Sequence, residues 1–365
     1  MYEKELKAIK KANLYREREI FSDDLIDLAS NDYLGFGEDK ELFKSAYEKV
    51  LTYNSHSPKA SQLVNGYHLL HKEFEEYLCK VNGFKKGIVV GSGFLANLSL
   101  IEALPRKKDL LVLDEFYHAS GILASKLVDA KVVLFRHNDP WHLKEILSTH
   151  SFNRAIVCVE GIYSMDGDIL NREIFDVCED KNVLLIVDEA HSAGVLGDNL
   201  LGVFDDYNIT PKDNHIKMGT LGKAYGSYGA YILANFEIIE FLQNRAKAII
   251  YATAPSIFDI SFAFCAMKKI EKDLESIKRK KEKISSVVKD IFGVKMDGLI
   301  LKLDAKSSHN ALLLKEFAKK RGFLIGAIRP PTVKKSILRI IPRICTDVLV
   351  LEKFFSELKN ENKHQ

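Results

Sequence analysis

The chain has 365 residues, with 53 Lys+Arg against 50 Asp+Glu and a formal net charge of +3, which excludes the strong basic field of a dedicated nucleic-acid or membrane-surface binder. Hydrophobic residues are 47% and charged residues 28%, a globular composition that leaves out disordered, collagen-like and low-complexity classes. The five cysteines (Cys79, Cys158, Cys178, Cys265 and Cys345) are odd in number, scattered and free of any CxxC pair, so neither a disulfide framework nor a zinc ribbon is expected, and no metal site.

In chain order, Met1 to Glu5 is charged and lacks the apolar stretch of a signal peptide. Glu3 to Arg18 reads as a polar helix, and Asp27 to Gly35 as a short strand entering a turn. Tyr67 to Leu78 has helical periodicity. Short apolar runs then follow at Gly87–Val90, Leu110–Leu113, Val132–Phe135, Ala155–Val159, Val183–Val187, Ile216–Met218 and Tyr228–Leu233. Helical patterns such as Phe94–Ala103 and Trp141–Ser148 separate most of them. This alternation predicts an α/β fold with a large, mostly parallel seven-stranded sheet. The runs are apolar throughout, as expected of strands covered on both faces, and are too short to span a bilayer. A soluble, cytoplasmic protein is expected.

After Pro255, Ile270, Leu274, Ile277, Ile284, Val288 and Phe292 recur at helical spacing among lysines. Interleaved Glu271, Asp273, Glu275 and Glu282 argue against a DNA-binding stripe. Strands at Leu299–Leu303, Phe323–Ala327 and Ile337–Ile341, with helices at His309–Arg321 and Val348–Leu358, complete a smaller α+β domain. The expected division is an N-terminal segment at 1–45, a large ligand-binding domain at 46–250 and a C-terminal α+β domain at 251–365.

Three places interrupt this grammar. Asp188, in Val187-Asp188-Glu189-Ala190-His191, closes an apolar strand, and ligands of open α/β sheets bind at that edge. Read alone, it is as well a capping aspartate. Lys223 sits between glycines in Gly219-Thr220-Leu221-Gly222-Lys223-Ala224-Tyr225-Gly226, just after another strand. It is a candidate Schiff-base nucleophile, against the reading of a solvated loop lysine. Gly91-Ser92-Gly93-Phe94 opens a helix after a third strand, which makes an anion site or a tight turn. Asp188-Glu189-Ala190-His191 also spells a helicase box. That reading fails because Lys217 stands where a phosphate loop needs its first glycine, Ala224 replaces Ser or Thr, and the order is wrong.

One ligand satisfies all three places: phosphate on the helix at Gly93-Phe94, a ring nitrogen kept protonated by Asp188, and an aldehyde condensed with Lys223. These are the requirements of pyridoxal 5'-phosphate.

The sequence resembles the α-oxoamine synthases, fold type I pyridoxal-phosphate enzymes. The matching stretches are Asn31-Asp32-Tyr33-Leu34-Gly35, Ser92 to Asn97, His118-Ala119-Ser120, Glu160 to Asp168, Val187 to His191, and Gly219 to Lys223. The match runs in order from about residue 14 to the C-terminus. It implies that Lys223 carries the cofactor and later moves the Cα proton, that His118 stacks on the ring, and that Ser164 and His191 bond near the ring oxygen. Thr220 joins the N–H groups of Gly93 and Phe94 on the phosphate. Thr253 reaches the phosphate of a neighbouring subunit in a homodimer with shared sites. Arg339 holds the amino-acid carboxylate, while Arg16, Asn31 and Thr332 match substrate-contacting positions.

The stretch Ala327 to Val333 is similar to the biotin-pathway branch, which joins L-alanine to a pimeloyl thioester, carried on coenzyme A or acyl carrier protein. Sister readings stay open: a glycine-using activity such as 2-amino-3-oxobutyrate coenzyme A ligase, or a catalytically silent subunit. Two segments depart from the family pattern, Asn54 to Gln62 and Lys334 to Ile337. The second is one residue short, and the assignment of Arg339 rests on that gap, with Arg329 and Arg343 as rivals.

Overall fold

The computed structural model describes every residue except Asn13, Lys181 and Gln365. Its strands, in chain order, are β1 (Ile26–Leu28), β2 (Lys86–Val90), β3 (Leu110–Asp114), β4 (Lys131–Phe135), β5 (Ala155–Glu160), β6 (Val183–Asp188), β7 (His215–Thr220), β8 (Ala230–Ala234), β9 (Leu301–Asp304), β10 (Phe323–Ile328) and β11 (Ile337–Ile340). Seven form a large sheet in the order β2-β8-β7-β6-β5-β3-β4. Only β8 runs against its neighbours; β3 to β7 pair in parallel. The carboxyl ends of β2, β3, β5, β6 and β7 therefore share one edge, and the loops leaving them meet there.

The expected mostly parallel seven-stranded sheet is found. Adjacent residues within a strand point to opposite faces, so one face takes Val112, Val157, Leu185 and Val187 and the other Leu111, Leu113, Cys158 and Ile186. Continuous apolar runs are what coverage of both faces requires. The exception is β4, where Val132 and Leu134 are exposed, because an edge strand has one neighbour and incomplete cover.

The second sheet has the order β1-β10-β11-β9. In it β1 pairs in parallel with β10, Ile26 opposite Phe323, so the N-terminal segment completes the C-terminal sheet. Between the sheets runs the helix Ile257–Phe292, opened by Ser256, whose side chain accepts the Asp259 N–H, and closed by Gly293 with φ 71°. Its apolar row, including Ile270, Ile277, Ile284 and Val288, is buried as the periodicity predicts. An unanticipated helix, Lys40–Leu51, packs on it through Leu42, Ala46 and Val50, and the Ser261 hydroxyl donates to the Ala46 carbonyl.

The first helix is shorter than the sequence predicts, Glu3–Lys11 in place of Glu3 to Arg18. None of its residues is buried, so no packed apolar face extends it. Asn13, within the expected span, lies outside the described residues.

Candidate active site

Asp188 ends β6 and is 4% exposed. Its Oδ1 accepts the Ala190 N–H at 3.0 Å and its Oδ2 accepts from Asn97 Nδ2 at 2.9 Å. The second Asn97 amide hydrogen goes to Ser120 Oγ at 3.0 Å, and Asn97 Oδ1 accepts from the Tyr117 hydroxyl at 2.6 Å. Ser120 Oγ also lies 2.7 Å from His118 Nδ1. The end of β6, the helix Gly93–Ala103 and the loop carrying His118 are thus bound into one network around a buried carboxylate. Both carboxylate oxygens are satisfied by neutral donors, and the compensating positive charge must come from a ligand or from the lysine described next.

Lys223 lies in the loop joining β7 to β8. Its Nζ is 2.7 Å from His191 Nε2, and His191 Nδ1 is 2.5 Å from the Tyr33 hydroxyl. Burial lowers the Lys223 ammonium to about 8, against the opposing pull of Asp188 and Glu160. Burial and the nearby Lys223, Arg339 and His118 push His191 well below the ordinary imidazole range. Burial also lowers His118, with Asp188 opposing. Both rings are therefore neutral beside a lysine that is poised to lose its proton.

The third corner is the start of the helix Gly93–Ala103. Ser92 caps it by accepting the Leu95 N–H at 3.2 Å. The N–H groups of Gly93 and Phe94 have no partner among the described residues. A Cβ on Gly93 would stand 3.7 Å from Thr220 Cβ, so the Thr220 side chain flanks the free N–H groups. Its hydroxyl donates to the Gly229 carbonyl at 3.0 Å. Unbonded N–H groups at a helix N-terminus beside a hydroxyl suit a phosphate. Next to Thr220, Gly219 is obligatory, since a Cβ there would come 2.4 Å from the Tyr231 ring.

Arg339 on β11 is 6% exposed. Its Nε donates to the Ser164 carbonyl at 2.7 Å and a terminal nitrogen donates to Asn31 Oδ1 at 3.0 Å. The rival Arg343 is committed elsewhere, donating to Asp32 Oδ2 at 3.1 Å, Glu38 Oε1 at 2.8 Å and the Asp32 carbonyl at 3.0 Å. Arg329 is half-buried at the end of β10.

The structure thus joins Asp188 to His118, and Lys223 to His191, by hydrogen bonds, and brings Arg339 to Asn31 and Ser164. The Ser164 hydroxyl has no hydrogen bond among the described residues. Arg16 and Thr332 are exposed, and among the described residues no side-chain hydrogen bond ties either to this cluster. Thr253 is exposed and bridges to Ser61, in the atypical segment Asn54 to Gln62. Sequence reasoning did not assign Tyr33, Asn97, Tyr117, Ser120 or Glu160 a role. Tyr33, Asn97, Ser120 and Glu160 stand inside the motifs that carried the resemblance, which was the available signal.

An acid with both oxygens satisfied, a lysine with a lowered pKa, and free N–H groups beside Thr220 fit the three ends of pyridoxal 5'-phosphate. Fold and site define a pyridoxal-phosphate-dependent enzyme. Residues 23–342 match the family described as aminotransferase class I and II. The 8-amino-7-oxononanoate synthase of Helicobacter pylori is 41% identical, over 100% of this chain and 98% of that one. Among solved structures, the serine palmitoyltransferase of Sphingomonas wittichii superposes with a TM-score of 0.88 at 23% identity, over 100% of this chain and 99% of that one. The 8-amino-7-oxononanoate synthase of Francisella tularensis gives a TM-score of 0.77 at 25% identity, over 94% and 99%. The chain belongs to the aminotransferase class I and II family, and within it to the group of the 8-amino-7-oxononanoate synthases.

Proposed function

We propose that this chain condenses L-alanine with a pimeloyl thioester, releasing carbon dioxide and the thiol carrier, to give 8-amino-7-oxononanoate for biotin synthesis. The observation that carries the reading is the pairing of a poised Lys223 with an Arg339 fork held nearby, at the edge where Asp188 ends its strand. When bound, the cofactor supplies an electron sink for the bonds at the amino acid's α-carbon.

The chain's own residues divide the remaining work. Asp188 would hold a negative charge for the ring nitrogen and His118 would pack against the ring. The N–H groups of Gly93 and Phe94, with Thr220, would receive the phosphate, and Ser164 and His191 would serve the ring oxygen. Lys223 would hold the cofactor and would move the Cα proton as a general base, which a pKa of about 8 suits at neutral pH. Arg339 offers a fork to the α-carboxylate, with Asn31 steadying it. Arg16 and Thr332 would serve the acyl donor from the exposed rim.

The acyl carrier is coenzyme A or acyl carrier protein. The working unit in this reading is a homodimer in which Thr253 of one copy completes the phosphate site of the other. Its support is the exposure of Thr253 beside exposed Leu63, Val64 and Tyr251, an apolar rim of the kind subunit contacts cover. The parts within the chain are a large cofactor-binding domain (46–250), a C-terminal α+β domain (251–365) and an N-terminal segment (1–45). Among the described residues no helix is long and apolar enough to cross a membrane, and the reaction needs none; we place it in the cytoplasm. Steady-state assay of alanine, glycine and serine against several acyl thioesters tests the reading. Preference for glycine would move it to the sister activity, and turnover of none would sink it.

A further inference from the structure

Glu160 ends β5 and is 2% exposed, yet none of the roles above uses it. It is the register partner of Asp188 on the adjoining parallel strand, so the backbones of the two acids lie side by side, about 5 Å apart across the sheet. Their oxygens are treated differently. Asp188 accepts an N–H on each oxygen. Glu160 accepts one, from the Ser164 N–H to Oε2 at 3.1 Å, while Oε1 is buried without a partner among the described residues.

We propose that Glu160 is a neutral carboxylic acid at pH 7, leaving Asp188 as the single negative charge of the pair, and that through the Ser164 backbone it positions Arg339 for the amino-acid carboxylate. The charged and titratable groups facing it are Asp188 on β6, Asp114 on β3, Lys223 in the β7–β8 loop, and the phenols of Tyr33, Tyr117 and Tyr163. Asp114 already has His137 as its partner at 3.0 Å, and the one lysine, which also faces Asp188, does not balance a second buried anion. Two buried carboxylates at paired positions on neighbouring strands repel when both ionise, and the proton goes to the one with the unsatisfied oxygen, because a bare buried anionic oxygen costs more than a neutral hydroxyl. Burial and Asp188 both push the Glu160 carboxyl well above the usual range, in the same direction as the geometry.

The second half follows from the bonds. Ser164 donates its N–H to Glu160 and its carbonyl accepts from Arg339 Nε, so the backbone of one residue links a buried acid to the substrate-facing guanidinium. That half rests on the proposed function; the protonation does not.

Infrared difference spectra between cofactor-free protein and its Glu160→Gln variant test the charge. Both should carry Glu75→Gln, because Glu75 is also buried and pushed up to about 7. A protonated-carboxyl carbonyl band at pH 7 that vanishes in Glu160→Gln is expected; a difference in carboxylate bands alone overturns the proposal. Should Glu160→Gln fail to fold, the same band in the Glu75→Gln protein decides, present for the proposal and absent against it. In the cofactor-free protein, Glu160→Gln keeps a neutral acceptor for Ser164 and should leave the pH dependence of cofactor attachment to Lys223 in place; a fall of about a unit or more in the Lys223 pKa would mean an anion had been removed and would overturn the proposal. Glu160→Leu should raise the KM for alanine at least about tenfold with a smaller change in kcat, and Glu160→Gln should restore it. Equal KM values in all three proteins, with the infrared result intact, would remove the positioning role and leave the protonation standing.

Discussion

Lys223 Nζ and His191 Nε2 lie 2.7 Å apart, with the Tyr33 hydroxyl 2.5 Å from the other ring nitrogen. A lysine lowered to about 8 is roughly one-tenth amine at pH 7, whereas an ordinary lysine is so only to a few parts in ten thousand. The attachment rate of pyridoxal phosphate to stripped protein should climb with pH and flatten above about 8; a climb continuing to about 10 would place Lys223 in an ordinary environment. Borohydride reduction and peptide mapping should find the cofactor on Lys223. Lys223→Ala should fold and retain none covalently.

Asp188→Asn removes the charge opposite the ring nitrogen but preserves shape and keeps an acceptor for the Ala190 N–H. The expected loss is on the order of 10²-fold or more in kcat, several kcal/mol of transition-state stabilisation, with thermal stability little changed. Near-normal turnover would reduce Asp188 to a strand-end cap.

His137 sits between two acids, with Nδ1 at 3.0 Å from Asp114 Oδ1 and Nε2 at 2.9 Å from Asp168 Oδ2. Although burial opposes it, hydrogen bonds to both acids raise His137 to about 10. The folded pKa lies above the unfolded value of roughly 6.5, so the imidazolium stabilises fully below about 6.5, and that contribution fades as pH rises toward about 10. His137→Gln should cost about 2 kcal/mol at pH 6, a figure kept modest because Asp168 is 39% exposed. Denaturant unfolding of both proteins across pH should show the gap closing between those limits. A gap constant to pH 10 would mean that the ring acts by packing on Phe116 and Tyr163.

The sheet was legible because strands buried on both faces must be apolar throughout, and β3, β5 and β6 are. Asp188 was legible because it closes an apolar run, and Lys223 because it sits in a glycine-flanked turn just after a strand. What pairs with what was not. β1 and β10 lie almost 300 residues apart, and nothing in Ile26-Asp27-Leu28 names Phe323 as a partner. The helix Lys40–Leu51 was missed although Leu42, Ala46 and Val50 stand at helical spacing in it. Asn97, Tyr117 and Glu160 matter through hydrogen bonds between distant loops, which periodicity does not report.

A shared site makes subunit mixing informative. In a heterodimer of Lys223→Ala with Thr253→Ala, one site would carry both defects and the other neither, provided Thr253 acts across the interface. Activity should then return toward one-half of a wild-type dimer per heterodimer. If Thr253→Ala alone is inactive and demonstrated heterodimers show no recovery, Thr253 serves its own chain's site.

The two buried arginines of the C-terminal sheet make the sharpest contrast. Arg339 donates to one carbonyl and one neutral amide oxygen, so its charge is free for a carboxylate. Arg343 is held by Asp32 and Glu38, with Asp27 3.5 Å away. Arg339→Ala should therefore raise the KM for alanine strongly, about 10²-fold for a charge-assisted fork in a dry site, and leave unfolding nearly unchanged. Arg343→Ala should do the reverse. It strands the largely buried Asp32, whose carboxyl burial already raises despite Arg343, and should cost on the order of 3 kcal/mol of stability with little change in KM. Titrating alanine into each variant while following cofactor absorbance, alongside denaturant unfolding, separates the two. If Arg339→Ala binds alanine as the wild type does and Arg343→Ala or Arg329→Ala does not, the one-residue gap at Lys334 to Ile337 has been placed wrongly and another arginine holds the substrate.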